Sequence, residues 1–134
     1  MRYLLDTHVW LWMLSNPAAL GERARTVIED RTNELLLSAA SSWEIAIKNA
    51  IGRLPLPSPP AQFVPDRMSR TGVIGLPVEH AHALRVATLP AHHRDPFDRL
   101  LVAQAQVLGM ALITADEKFA PYEIQLVPAG RRTL

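Results

Sequence analysis

The sequence predicts one α/β domain of three layers, with a central, mainly parallel sheet of about four or five strands between helices. Three observations predict it. Strand-like and helix-like stretches alternate along all 134 residues, the pattern of a parallel sheet covered on both faces. The strand candidates are short apolar runs, such as Tyr3-Leu4-Leu5 and Leu35-Leu36-Leu37, suited to burial on both sides. Acidic residues then recur where these strands end or where helices begin, the edge at which open α/β sheets keep their ligands.

Composition narrows the function classes. With 49% apolar and 20% charged residues the chain reads as globular over residues 1–134, without a second domain. No apolar run is long enough to span a bilayer, so no membrane association is expected. The start carries no basic region followed by a small-residue cleavage site, so no secretory leader is expected and a cytoplasmic setting follows. The absence of cysteine excludes disulfides, thiolate nucleophiles and cysteine-bound zinc. A net charge of +1 argues against a large electrostatic footprint on DNA.

The elements follow in order. The first strand ends at Asp6, and residues 8–14 form a short, largely buried helix stopped by Asn16-Pro17. Its tryptophans, Trp10 and Trp12, suit the core or a subunit contact. Leu20, Ala24, Val27 and Ile28 mark one stripe of an amphipathic helix. Residues 34–38 form the second strand. A helix over 41–52 follows, with Ser41 and Glu44 as a capping box and Gly52 at its end.

A proline-rich connection then leads to a short helix over 62–69 and a strand over 73–78. Pro77 in that strand suits an edge or a strand end. Residues 79–89 form a helix with Ala81, Leu84 and Val86 or Ala87 inward. His80 and His82 are placed on the surface, because two residues apart they cannot share a helix face. Asp95 is the N-cap of the next helix with Pro96 at its first position, which puts Asp98 in the first turn. Leu101, Ala105 and Leu108 face the sheet until Gly109. Residues 110–114 form a strand ending near Asp116, and 124–127 add an edge strand.

Asp6, Glu44, Asp98 and Asp116 therefore arrive at one edge of the sheet. Each has an ordinary account as a cap or turn residue, and helix dipoles favour acids there. Together they repel, so the group needs protons or a cation. Carboxylates without cysteine suit a hard ion such as Mg²⁺ or Mn²⁺, and sites of that composition serve phosphate chemistry. Lys48, Arg94, Arg99 and Lys118 are cations placed to hold a polyanion.

The stretches Leu-Leu-Asp-Thr-His at 4–8, Ser-Ser-Trp-Glu-Ile-Ala at 41–46 and Leu-Ile-Thr-Ala-Asp at 112–116 resemble motifs of the PIN-domain ribonucleases. So does His-Arg-Asp-Pro-Phe-Asp-Arg-Leu-Leu-Val-Ala-Gln-Ala at 93–105, and within that family the likeness is to the VapC-type toxins of toxin–antitoxin pairs. The resemblance implies a PIN-like α/β/α fold and cleavage of single-stranded RNA by a Mg²⁺- or Mn²⁺-activated water. It assigns Asp6, Glu44 and Asp98 as the principal acids and Asp116 as the more variable fourth. It also implies a homodimer inhibited by a VapB-like antitoxin, with DNA met only through that antitoxin. The tryptophans and the loop at 53–65 are possible contact regions.

Two other readings fit parts of the chain. An acidic-pocket phosphotransfer domain of the phosphatase kind wants an aspartate two residues after Asp6, where His8 stands. A receiver wants a lysine after a late strand, where Ala115 and Asp116 follow Thr114. A catalytically inactive PIN domain that binds RNA or a protein partner is the non-enzyme reading, against which all four acids count.

Overall fold

The computed structural model describes residues 1–131; the expected domain end at residue 134 lies outside the described residues. Strands β1 (Arg2–Leu5), β2 (Glu34–Ser38), β3 (Ile74–Leu76), β4 (Ala111–Thr114) and β5 (Leu126–Pro128) form one sheet in the order β3-β2-β1-β4-β5. Every pairing is parallel. The chain winds outward from β1 in one direction and then in the other, so the strand order reverses between β1 and β4. In open α/β sheets the crevice at such a reversal, beyond the strand carboxyl ends, is the natural ligand site.

Among the described residues six α-helices cover the sheet: α1 (Thr7–Ser15), α2 (Glu22–Glu29), α3 (Ala39–Ala50), α4 (Pro60–Thr71), α5 (His80–Arg85) and α6 (Pro96–Leu108). Alternation along the strands explains the three layers. Tyr3, Leu5, Leu35, Leu37 and Ile113 point into one core, with Trp10, Ala24, Ile45 and Phe63 from α1 to α4. Leu4, Leu36 and Leu112 point into the other, with Leu101 and Val102 of α6 and with Phe119. Trp10 therefore belongs to the core, as expected of it. Trp43, on α3, is exposed and meets Phe97 edge-on at 5.1 Å.

Local chemistry sets most boundaries. Asp95 accepts from the backbone N–H groups of Phe97 (2.8 Å) and Asp98 (3.2 Å), so Asp95-Pro96 starts α6 as its sequence predicts. Gly109 ends α6 at φ 63, a left-handed conformation that suits glycine. Gly21 matters for another reason: a Cβ there would lie 2.2 Å from the carbonyl oxygen of Gly130. Gly21→Ala is expected to destabilise the chain by about 1–3 kcal/mol through overpacking, read from urea unfolding.

Three expectations are corrected. The helix after β2 starts at Ala39, because Ser38 is its N-cap and its hydroxyl accepts from Ala40 N–H at 3.0 Å. Ser41 and Glu44 are thus not a capping box, and Glu44 sits in the second turn of α3. The 79–89 helix turns its other face inward: His82 is buried, whereas Leu84 is 71% exposed. His82 is drawn in because its Nδ1 accepts the backbone N–H of Glu79 at 3.0 Å, closing the start of α5. Residues 86–88 continue as a 3₁₀ turn rather than as α-helix. The short helix expected over 62–69 runs over Pro60–Thr71 and tolerates Pro65 in its interior.

Candidate active site

Asp6 leaves the carboxyl end of β1 and is 4% exposed. It occupies the N-cap position of α1, yet its side chain makes no capping hydrogen bond. The Thr114 hydroxyl, at the end of β4, instead donates to Asp6 Oδ2 at 2.7 Å. The same Oγ1 accepts from Asp116 N–H at 3.0 Å, so Thr114 links the two strand ends at the reversal. Burial raises the affinity of Asp6 for its proton, with the Thr114 bond and His8 opposing and Glu44 and Asp116 adding to the rise.

Glu44 reaches the site from the second turn of α3. Its carboxylate is buried; Oε2 pairs with Lys48 Nζ at 2.5 Å, while Oε1 is buried without a hydrogen-bond partner among the described residues. The bond to Glu44 holds the Lys48 ammonium above its usual proton affinity. Thr7 donates to Ser41 Oγ at 2.8 Å, tying α1 to α3 behind Glu44.

Asp98 projects from the first turn of α6. Burial, then the charges of Asp6, Asp95, Glu44 and Asp116, push its carboxyl up to about 8. Asp98 therefore feels the charge of each of the other three predicted acids, and it falls in one group with Asp116 and His93. Asp116 is the most open of them, and its carboxylate also caps the turn at Glu117–Phe119 by accepting from Lys118 N–H at 2.9 Å.

His93 is the site residue that sequence reasoning passed over. Its Nε2 lies 2.8 Å from Asp98 Oδ2 and 3.6 Å from Asp116 Oδ2. Nδ1 accepts from Asp95 N–H at 3.2 Å, which assigns the ring proton to Nε2 in the neutral ring. The short contact to Asp98 is not aligned as a hydrogen bond, so Nε2 is left without a hydrogen-bond partner among the described residues. His93, Asp98 and Asp116 each offer one ligand atom, and these atoms lie within 4.8 Å of one another. The signal available in the sequence was a titratable ring two residues before a strong N-cap, where a loop delivers it to a helix start.

Of the four cations expected near the site, Arg99 is committed elsewhere. Its guanidinium donates to the carbonyl oxygens of Pro90 (2.9 Å) and Val86 (3.1 Å), pinning the loop that carries His93. Lys48 is paired to Glu44, and Arg94 and Lys118 are exposed.

The donor set suits a divalent cation. Two observations fit it: a buried carboxylate oxygen without a partner among the described residues, and an Asp98 carboxyl raised to about 8 in a set rich in oxygen. An ion among these groups would replace the protons that mutual repulsion otherwise demands. Thr114→Val is expected to weaken divalent-ion affinity by roughly tenfold, as loss of a bond orienting a metal-binding carboxylate does, measured by Mn²⁺ titration calorimetry.

Fold and site together define a doubly wound α/β domain with acidic side chains gathered at the reversal of its strand order. The chain belongs to the PIN domain family, whose model matches residues 3–124. It is 31% identical to ribonuclease VapC22 of Mycobacterium tuberculosis over 86% of this chain and 87% of that one. It is 55% identical to ribonuclease VapC16 of the same organism over 58 residues, 43% of this chain and 41% of that relative, so this match spans less than half of either. Among solved structures, VapBC2 from Rickettsia felis bound to a DNA fragment from its promoter superposes with a TM-score of 0.72. That likeness covers 96% of this chain and 99% of the other at 14% identity, and shows the fold.

Proposed function

We propose that this chain is a metal-dependent endoribonuclease, the toxin of a toxin–antitoxin pair, and that residues 1–134 act as one PIN domain. The observation that carries the reading is the frustrated acid cluster: Asp98 is raised to about 8 and Glu44 Oε1 is buried unpaired among the described residues, at the carboxyl edge where β1 and β4 diverge. The ribonuclease names of the VapC relatives supply the substrate class.

In this reading Asp6 and Asp98 hold Mg²⁺ or Mn²⁺, with Asp116 and Glu44 completing the set. When bound, the ion supplies charge stabilisation for the phosphodiester and lowers the proton affinity of water. The chain's own groups do the positioning. Thr114 fixes one Asp6 oxygen, and the other would meet the ion. Lys48 fixes Glu44 Oε2, so that the unpaired Oε1 is the atom that accepts a hydrogen bond from water. His93 Nε2 stands beside the Asp98 and Asp116 carboxyl groups, 2.8 Å and 3.6 Å from their Oδ2 atoms. The substrate is single-stranded RNA. The partners are a VapB-like antitoxin and a second copy of this chain, in the cytoplasm; any contact with DNA runs through the antitoxin. No helix among the described residues is long and apolar enough to cross a membrane.

The test is incubation of the purified chain with labelled single-stranded RNA in Mg²⁺, in Mn²⁺ and in EDTA. Cleavage with either ion and none in EDTA is expected. Tight RNA binding without cleavage in any of the three would favour an inactive binding module, and stable phosphorylation of Asp6 would favour a phosphotransfer domain.

A further inference from the structure

A cleft of about 300 Å³ opens beside the acid pocket, between α1 and α3 and the chain that follows α3. Glu44 forms its inner wall, so the cleft and the acid pocket share a residue. Leu11 and Leu54 line it as half-buried apolar surface, and His8, Lys48 and Arg53 stand around it. We propose that this cleft seats one nucleotide of the RNA chain next to the scissile linkage, with its base against Leu11 and Leu54 and its phosphate against Arg53. The proposal rests on the nuclease reading and adds a subsite to it.

Charge is the first support. Among the described residues Glu44 is the only carboxylate on the wall, and Lys48 already answers it at 2.5 Å. The remaining charge of the cleft is therefore basic. Arg53 is exposed, and its guanidinium pairs with no carboxylate among the described residues. Its backbone N–H donates to Lys48 O at 2.9 Å, which anchors the start of the side chain at the cleft mouth. A planar guanidinium held there suits bidentate contact with a phosphate.

Continuity is the second support. His8 follows Asp6 by two residues on the first turn of α1, and Lys48 lies one helical turn beyond Glu44 on α3. His8, Lys48 and Arg53 thus line the same cleft as Glu44. Size is the third. A volume of about 300 Å³ is at the small end for ligand sites and accepts one base with its sugar, not a duplex. Recognition of single-stranded RNA places unstacked bases on such side-chain surfaces while cations track the backbone. A larger hollow of about 490 Å³ near Glu22, Arg23 and Arg131 touches none of the four acids, so it lacks this continuity.

The test separates binding from cleavage. Anisotropy of a short fluorescein-labelled single-stranded RNA of mixed sequence is measured in EDTA at several salt concentrations, for wild type, Arg53→Glu and Arg23→Glu. Arg53→Glu is expected to weaken binding roughly tenfold and to flatten the salt dependence by about one counterion, with Arg23→Glu unchanged. In Mg²⁺, Arg53→Glu and Leu54→Ser each raise KM several-fold while kcat stays near wild type. An abasic nucleotide stepped along the RNA costs affinity at one position, and Leu54→Ser abolishes that cost. Equal weakening by Arg53→Glu and Arg23→Glu, or none by either, overturns the subsite. So does RNA affinity unchanged in Arg53→Glu with loss of a co-expressed protein partner, which would make the cleft a protein-docking site. Each variant must keep the wild-type thermal midpoint, and a variant that loses it is replaced by Arg53→Gln or Leu54→Ala. If wild type neither binds nor cleaves RNA, the nuclease reading fails first, a result distinct from failure of the subsite alone.

Discussion

Replacement of Asp6 by asparagine is expected to slow Mg²⁺-dependent RNA cleavage roughly 10³-fold, the scale on which a group stabilising transition-state charge acts. The substitution keeps size and shape, and the amide can still accept from Thr114 Oγ1, whose donor sits 2.7 Å from the native carboxylate. What it removes is a negative charge that is 4% exposed and gains nothing from helix capping. Burial already works against that charge, as the raised proton affinity of Asp6 records. Asp6→Asn should therefore unfold at the same temperature as wild type or higher. That pairing of outcomes is diagnostic. A structural aspartate would lose stability with activity; a cation-holding aspartate loses activity and Mn²⁺ affinity while the fold gains. Cleavage at the wild-type rate by Asp6→Asn would make the proposed mechanism wrong.

The sequence carried some parts of this site clearly and blurred others, for physical reasons. Asp95-Pro96 and Gly109 were legible because capping and φ preference act over a few residues, so α6 and the placement of Asp98 followed directly. The strands were legible as apolar runs, because burial on both faces leaves no polar alternation. The start of α3 was not. Ser38, Ser41 and Ser42 all offer a hydroxyl, and the choice of Ser38 depends on β2 ending there and on Ser41 being taken by Thr7. The inward face of α5 was misread because a histidine that caps its own helix counts as polar in any periodicity. His82 is buried by that bond, with Gln104 Nε2 3.3 Å from its Nδ1. His93 was invisible because it stands on a loop, where no period places a side chain. The loop is held by Arg99, a residue whose expected role was ligand binding.

The placement of Thr114 shows how topology makes the pocket. Asp6 and Asp116 leave adjacent parallel strands, β1 and β4, whose following segments must part to opposite faces of the sheet. The backbone donor Asp6 N–H pairs with Ile113 O at 3.0 Å, the last rung before the chains diverge. Beyond it, the Thr114 hydroxyl takes over from backbone pairing by bridging Asp6 Oδ2 and Asp116 N–H. Glu44 and Asp98 then close the pocket from α3 and α6, the helices that pack on the two opposite cores. Each acid thus comes from a different element. This explains both the electrostatic strain and why no single short motif reveals the site.

The same strain predicts a pH dependence of stability and its reversal by metal. Asp98 holds its proton to about pH 8 in the folded chain, against 3.8 for an ordinary aspartate, because of burial first and then Asp6, Asp95, Glu44 and Asp116. Between those two values the folded state binds more protons than the unfolded one, so stability falls as pH rises, and the loss is complete above about 8. Asp6, raised by burial, acts with the same sign. In EDTA, wild type is therefore expected to melt at a lower temperature at pH 8.5 than at pH 6, values chosen about the upper end of that interval. Asp98→Asn should flatten that slope and raise the metal-free melting temperature at the higher pH by about 4 °C or more, since each pKa unit is worth about 1.4 kcal/mol. Divalent ions bind the ionised carboxylates, so Mg²⁺ or Mn²⁺ should stabilise wild type more at the higher pH, and binding at neutral pH should release protons. Calorimetry in two buffers of different ionisation enthalpy measures that release. A wild-type melting temperature indifferent to pH in EDTA, together with no gain from Asp98→Asn, would show that Asp98 is not held as a strained acid. The cation would then lose its principal electrostatic reason to bind.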